Sequence, residues 1–177
     1  MNLVLAPLSQ ESPLIVIAEI GIALAGFSSI VIALRRGTDQ ITSFAYIRLW
    51  RLLETSLATV LFALVPFALH YLGVGKLELW RAASGALCTY VVCAQLYMFI
   101  HWWEQWKYPA IPWWFNGPVL VVQFSVVVML ALNATAVGLN GEFGPYFVAL
   151  LWYLTLSALY FGRLLLLHRQ GDEDLPP

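Results

Sequence analysis

Five stretches of this chain are each about as long as the 20 or so apolar residues that a helix needs to cross a bilayer, and they carry almost no charge. In hydrocarbon every backbone amide and carbonyl must find its partner within the segment, so runs of this length become helices. They lie at about 14–34, 47–71, 80–102, 118–139 and 145–167. Ser12 and Pro13 suit the start of the first, and Arg35, Arg36 and Gly37 stop it. Gly73, Gly75, Pro109, Pro112, Gly117, Gly141 and Gly144 mark the joints. The pattern predicts an all-α fold: a polytopic transmembrane helical bundle of five spanning helices, with residues 1–167 as one membrane domain. Residues 168–177 follow as a short acidic tail, expected to be mobile.

Composition supports the same solvent. Of 177 residues, 61% are apolar and 11% charged, whereas a soluble domain carries about 25% charged residues to build its water-facing shell. Nine basic and ten acidic residues give a net charge of −1, which leaves no electrostatic footprint for nucleic acid. The partner implied is the lipid bilayer.

The basic residues set an orientation, because short loops rich in Lys and Arg stay in the cytoplasm. Arg35, Arg36, Arg48, Arg51, Lys107, Arg163 and Arg169 fall on one side of a five-span topology, and Lys76 and Arg81 on the other. The expectation is a multi-pass protein of the cell (inner) membrane, with its amino terminus outside and its carboxyl terminus in the cytoplasm. No Lys or Arg precedes Arg35, the reverse of a secretory leader, so the first helix is expected to be retained. The run HWWEQWKYPAIPWWF, residues 101–115, reads as an interfacial anchor at the inner leaflet.

Chemistry-bearing patterns are sparse. Cys88 and Cys93 are five apart and cannot bridge within one helix; they read as small buried residues. His101, Glu104 and His168 share the inner side, but interfacial placement accounts for each, and neither a zinc nor a haem ligand set emerges. No nucleophile elbow, phosphate loop or HExxH is present. The sequence therefore argues against an enzyme and implies no cofactor. Gln95, Gln123 and Asn133 interrupt the apolar runs and are expected to hydrogen-bond between helices.

Glu19 is the most informative residue. It sits inside the first span, where an acidic side chain costs up to about 3 kcal/mol by insertion scales. On a helical wheel Ala18, Gly21, Ala23, Ala25, Gly26, Ser29 and Ala33 fall on its side of the helix, and Ile17, Ile20, Leu24, Phe27, Val31 and Leu34 on the other. Two uses of this small face compete. In one, Gly21, Ala25 and Ser29 form a tight packing seam and Glu19 is neutralised by Arg81 or Lys76. In the other, several copies surround an axis lined by Glu19, Ala23, Gly26, Ile30 and Ala33, with Arg35 and Arg36 at the inner mouth; rings of carboxylates select cations.

At the inner end Arg48, Arg51 and Glu54 lie close to one face of the second helix, so Arg51 and Glu54 can pair. The cluster reads as a structural fastener of helices one and two, or as a basic vestibule that attracts anionic lipid at the cytoplasmic surface. Pro66 removes a hydrogen bond inside the second helix. Together these features predict a homo-oligomeric ion channel or pore with the first helix near the axis, cation-preferring if Glu19 forms the filter. The competing expectation is a non-conducting accessory or scaffold subunit that binds a partner through the same small face. A membrane enzyme or haem-carrying subunit is the third.

Overall fold

A computed structural model describes residues 11–35, 43–102 and 113–173. All regular structure among them is α-helical: α1 (Glu11–Arg35), α2 (Ser43–Tyr71), α3 (Lys76–Trp102), α4 (Trp113–Thr135) and α5 (Phe143–Glu173). Four of these are long and apolar enough to cross a membrane, over Ser12–Ile30, Leu49–Tyr71, Gly117–Thr135 and Phe143–Gly162. The chain is an all-α membrane protein. α3 has the length, about 40 Å at 1.5 Å per residue; its charges, Lys76, Glu78 and Arg81, lie in the first turns, and residues 82–100 carry none.

Several ends differ from the sequence expectation. α1 is described from Glu11, so Pro13 lies in the first turn as expected and Ser12 lies there too rather than capping it. α4 starts at Trp113, so Pro118 lies in its second turn. α5 runs to Glu173, past the boundary expected at 167, so the first residues of the acidic tail are helical. Most of the tryptophan-rich stretch falls outside the described residues, as do Arg36 and the last four residues of the chain.

Two helix ends show why they stop where they do. At the end of α2 the Gly73 amide donates to His70 O and the Val74 amide to Leu69 O, with Gly73 at φ 80°. This is a Schellman cap: a left-handed residue turns the chain and satisfies the last carbonyls. α4 ends in the same way, four residues earlier than the apolar pattern suggests. The Ala136 amide donates to Asn133 O and the Val137 amide to Leu132 O, with Ala136 at φ 56°. Here alanine holds the left-handed position that usually falls to glycine.

The chain divides into two compact units, residues 1–64 with 150–177, and residues 65–149. In the first, α1 buries Leu14, Ile17, Ala18, Gly21 and Ser28, a stripe at the three-and-four spacing of one helix face. Gly21 is the point of closest approach to α2: a methyl there would lie 2.8 Å from Val60 Cγ2 and 3.3 Å from Ser56 O. Phe27 meets Phe161 of α5 with ring centroids 6.2 Å apart, and Leu49 and Leu52 of α2 pack with Tyr160 and Phe161. Between α2 and α5 the Ser157 hydroxyl donates to Thr55 Oγ1 at 2.9 Å.

The second unit is held by α3 and α4. Leu79, Ala83, Leu87 and Val91 of α3 and Val126 and Leu130 of α4 are buried, and Gly85 lets Ala134 come within 3.7 Å of the position its Cβ would take. Asn133 Nδ2 donates to Ser84 Oγ at 2.8 Å, across these two helices. Arg81 Nε donates to Ala134 O at 3.3 Å, on a carbonyl of the last turn of α4, where the helix dipole favours a cation. Gly141, at φ 70°, lies against Leu77 O and the Arg81 stem with no room for a side chain.

Candidate functional site

Glu19, Ala23, Gly26 and Ile30 are all exposed. Their spacings of four, three and four residues keep them within one face of α1, centred about 170° from the buried stripe at 100° per residue. That face is therefore turned away from the packing of the chain. A methyl on Gly26 would meet nothing within 4 Å. Glu19 lies about 10 Å along the axis from Ser12, at 1.5 Å per residue, well inside the 19-residue apolar span. Among the described residues of its own unit its carboxylate has neither an ion pair nor a hydrogen bond.

The packing residues divide by geometry. Gly21 is buried, Ala25 half-buried and Ser29 exposed, its hydroxyl donating to Ala25 O at 3.1 Å. A strict four-residue repeat drifts by about 40° per step on a 3.6-residue helix. Consequently the repeat begins against α2 at Gly21 and has turned outward by Ser29. Ala33 and Arg35 belong to α1, but their side chains are outside the described set, as is the side chain of Arg48 on α2; Arg36 is outside the described residues altogether.

At the start of the apolar part of α2, Arg51 and Glu54 form an ion pair at 2.8 Å, with side chains 14% and 24% exposed. Arg51 Nε is buried without a hydrogen-bond partner. One turn further on, Thr55, Ser56 and Thr59 are buried in the same helix, with Ser157 on α5 and Ser28 on α1. Thr55 and Thr59 return their hydroxyls to Arg51 O and Thr55 O, each at 2.8 Å; Ser56 Oγ is buried with none. Sequence reasoning missed this hydroxyl seam. Its signal was there in the spacing of Thr55, Ser56 and Thr59, three small polar residues on neighbouring turns of an otherwise apolar run.

Asn133 lies in an Asn-Ala-Thr triplet, the acceptor pattern for N-glycosylation. Its side chain is fully buried and both amide atoms are bonded, so it is not a surface acceptor. No group of three or more His, Cys, Asp or Glu suited to a metal occurs among the described residues. Glu104 of the inner His/Glu trio lies outside them, and the side chains of His101 and His168 are not described. Cys88 Sγ is 3.8 Å from Val127 O, whereas Cys93, expected to be buried, is exposed on α3. Against known protein families, characterised proteins and solved structures, the chain finds no match.

Proposed function

We propose that this membrane protein works as a homo-oligomer that conducts small cations along the outward face of α1, with Glu19 as its charge-selective group. One observation carries the reading: a carboxylate with no ion pair among the described residues sits on an exposed face, inside an apolar span, beside Ala23 and Gly26. Left in lipid, that carboxylate costs up to about 3 kcal/mol by insertion scales. Water shared between copies removes the cost, and small neighbours leave room for it. A carboxylate at such a position concentrates cations and repels anions.

The orientation places the amino terminus outside and the carboxyl terminus in the cytoplasm of the cell membrane, from the seven-to-two skew of basic residues across five helices. On the cytoplasmic side the Arg48 and Arg51 region would attract anionic headgroups. The test is ion flux in liposomes containing the purified protein, with potassium and chloride gradients measured separately. Cation flux that falls with Glu19→Gln supports the reading. A preparation that remains assembled and conducts nothing defeats it, and leaves the α1 face as the docking surface of a non-conducting subunit whose partner carries a basic residue at that depth.

A further inference from the structure

The link between α4 and α5 holds an Asn-Gly pair, Asn140 and Gly141, and asparagine is among the chemically labile side chains. Glycine has no side chain to shield its amide nitrogen, which can attack the side-chain carbon of the asparagine before it. The nitrogen bonds to Asn140 Cγ, the Cγ–Nδ2 bond breaks, and the Gly141 amide proton leaves with the NH2 group as ammonia. Water then opens the cyclic imide at either carbonyl. The products are aspartate and isoaspartate, whose main chain runs through the former side chain. Water is at hand, because Asn140 is exposed and lies between the apolar span that ends at Thr135 and the one that begins at Phe143.

The turn around the pair opposes this reaction. The Gly141 amide donates to Leu139 O at 2.8 Å, a bond that brackets Asn140, and Asn140 has negative φ. That combination is the inverse γ-turn, with ψ of its central residue at about +65°. Gly141 N then lies nearly opposite Asn140 Cβ across the Cα–C bond. Ring closure needs the two on the same side, so the peptide must first turn by about half a revolution. Such a rotation swings Gly141 and Glu142, and both are held. Gly141, at φ 70°, has Leu77 O 3.1 Å and Arg81 Cγ 2.7 Å from where a Cβ would stand. Glu142 is bonded through its amide and its carbonyl to the buried side chain of Asn133, each at 3.0 Å. We propose that Asn140 and Gly141 form a one-way chemical latch, intact while Asn133 holds Glu142 and deamidated when that clamp opens. Isoaspartate cannot close the latch again. It adds a methylene to the main chain immediately before Gly141, which puts the Glu142 peptide out of register with Asn133. It also sets a new carboxylate two residues from exposed Glu142.

A second Asn-Gly pair, Asn116 and Gly117 in the first turn of α4, serves as an internal standard. The purified protein in detergent is incubated in mildly alkaline buffer and digested, and both pairs are followed by the mass change of deamidation and by isoaspartyl methyltransferase labelling. A synthetic peptide of residues 138–145 gives the rate of the open form. Asn140 in the folded chain is expected to deamidate at least about tenfold more slowly than in the peptide, because only the open fraction reacts. Asn133→Leu should bring the Asn140 rate most of the way to that of the peptide and leave the Asn116 rate unchanged. Asn140→Gln should abolish the signal at its position, since the longer side chain closes the ring far more slowly. Protein enriched in isoaspartate at 140 should unfold at a lower temperature, whereas Asn140→Asp, which adds the charge on an ordinary main chain, should lose much less. A folded-state rate equal to that of the peptide overturns the proposal, as does an Asn140 rate indifferent to Asn133→Leu. Equal acceleration at Asn116 and Asn140 overturns it too, because that pattern marks unfolding of the whole chain rather than release of the clamp. Isoaspartyl protein that unfolds at the wild-type temperature removes the one-way step.

Discussion

The amide of Asn133 grips both sides of the Glu142 backbone: Nδ2 donates to Glu142 O and Oδ1 accepts from the Glu142 amide, each at 3.0 Å. The same Nδ2 also reaches Ser84 on α3. One buried side chain thereby ties α3, the end of α4 and the residue just before α5. Asn133→Leu removes all three bonds and strands the Glu142 peptide, at about 2 kcal/mol given the modest net worth of each bond in membranes. Asn133→Asp keeps the acceptor and loses both donors, so it should cost at least as much. Thermal unfolding in detergent measures either; a loss under about 0.5 kcal/mol for both would show that the clamp adds little beyond the Schellman turn beside it.

Gly21 and Gly26 are five residues apart on α1 and should respond in opposite ways to the same substitution. Gly21→Ala puts a methyl 2.8 Å from Val60 Cγ2 and 3.3 Å from Ser56 O. α1 and α2 must then separate by a few tenths of an ångström, and the expected loss is about 1 to 2 kcal/mol. Val60→Ala in the same chain should recover most of it, since the side-chain clash is the closer of the two. Gly26→Ala meets nothing and should leave the stability of the chain unchanged, while any effect on assembly reports that the outward face is covered by another copy. Equal destabilisation by the two alanines would mean that α1 is rotated from the orientation described.

Ala136 occupies a left-handed conformation at φ 56°, which costs an L residue roughly 1 kcal/mol or somewhat more. Ala136→Gly relieves that strain, and the greater freedom of glycine in the unfolded chain returns about half of it. A net gain of about 0.5 kcal/mol is expected, seen as a small rise in unfolding temperature. Gly73→Ala at the equivalent position of α2, φ 80°, should lower it by a similar amount. Opposite signs at the two caps are the decisive pattern.

The five helices were legible because apolar run length is a property of the chain alone, fixed by the thickness of hydrocarbon. Their ends were less so: α4 stops at Thr135 because Ala136 turns left-handed, and alanine carries no sequence signal for that. For the candidate site, the wheel placed Ala18 and Gly21 on the face of Glu19, yet both are buried and Glu19 is exposed. Side-chain size told which positions could pack closely, but not which partner would approach, and α2 took the Gly21 edge. The Asn133 clamp was readable as an interhelical bond, whereas its hold on the Glu142 backbone depends on loop geometry that no spacing rule encodes.

Selectivity gives the sharpest test of the α1 face, because Glu19 and the Arg35–Arg36 pair of the sequence would pull in opposite directions. Glu19 lies inside the apolar span and cannot reach bulk water by extending its short side chain. Arg35 and Arg36 follow the apolar run in the sequence; a long side chain beyond such a run can reach water, where its field is screened within about 8 Å at physiological salt. The carboxylate should therefore dominate. Glu19→Gln keeps size and hydrogen bonding while removing the charge, and should lower the cation-to-anion permeability ratio by about tenfold, equivalent to roughly 1.4 kcal/mol of lost charge stabilisation. Glu19→Asp retains the charge and should keep most of the ratio. Arg35→Gln and Arg36→Gln should raise it slightly or leave it alone, and raising salt should mute these effects before it mutes that of Glu19→Gln. A channel that prefers anions, or whose ratio ignores Glu19→Gln while responding to Arg35→Gln, would move the filter to the inner end of the helix.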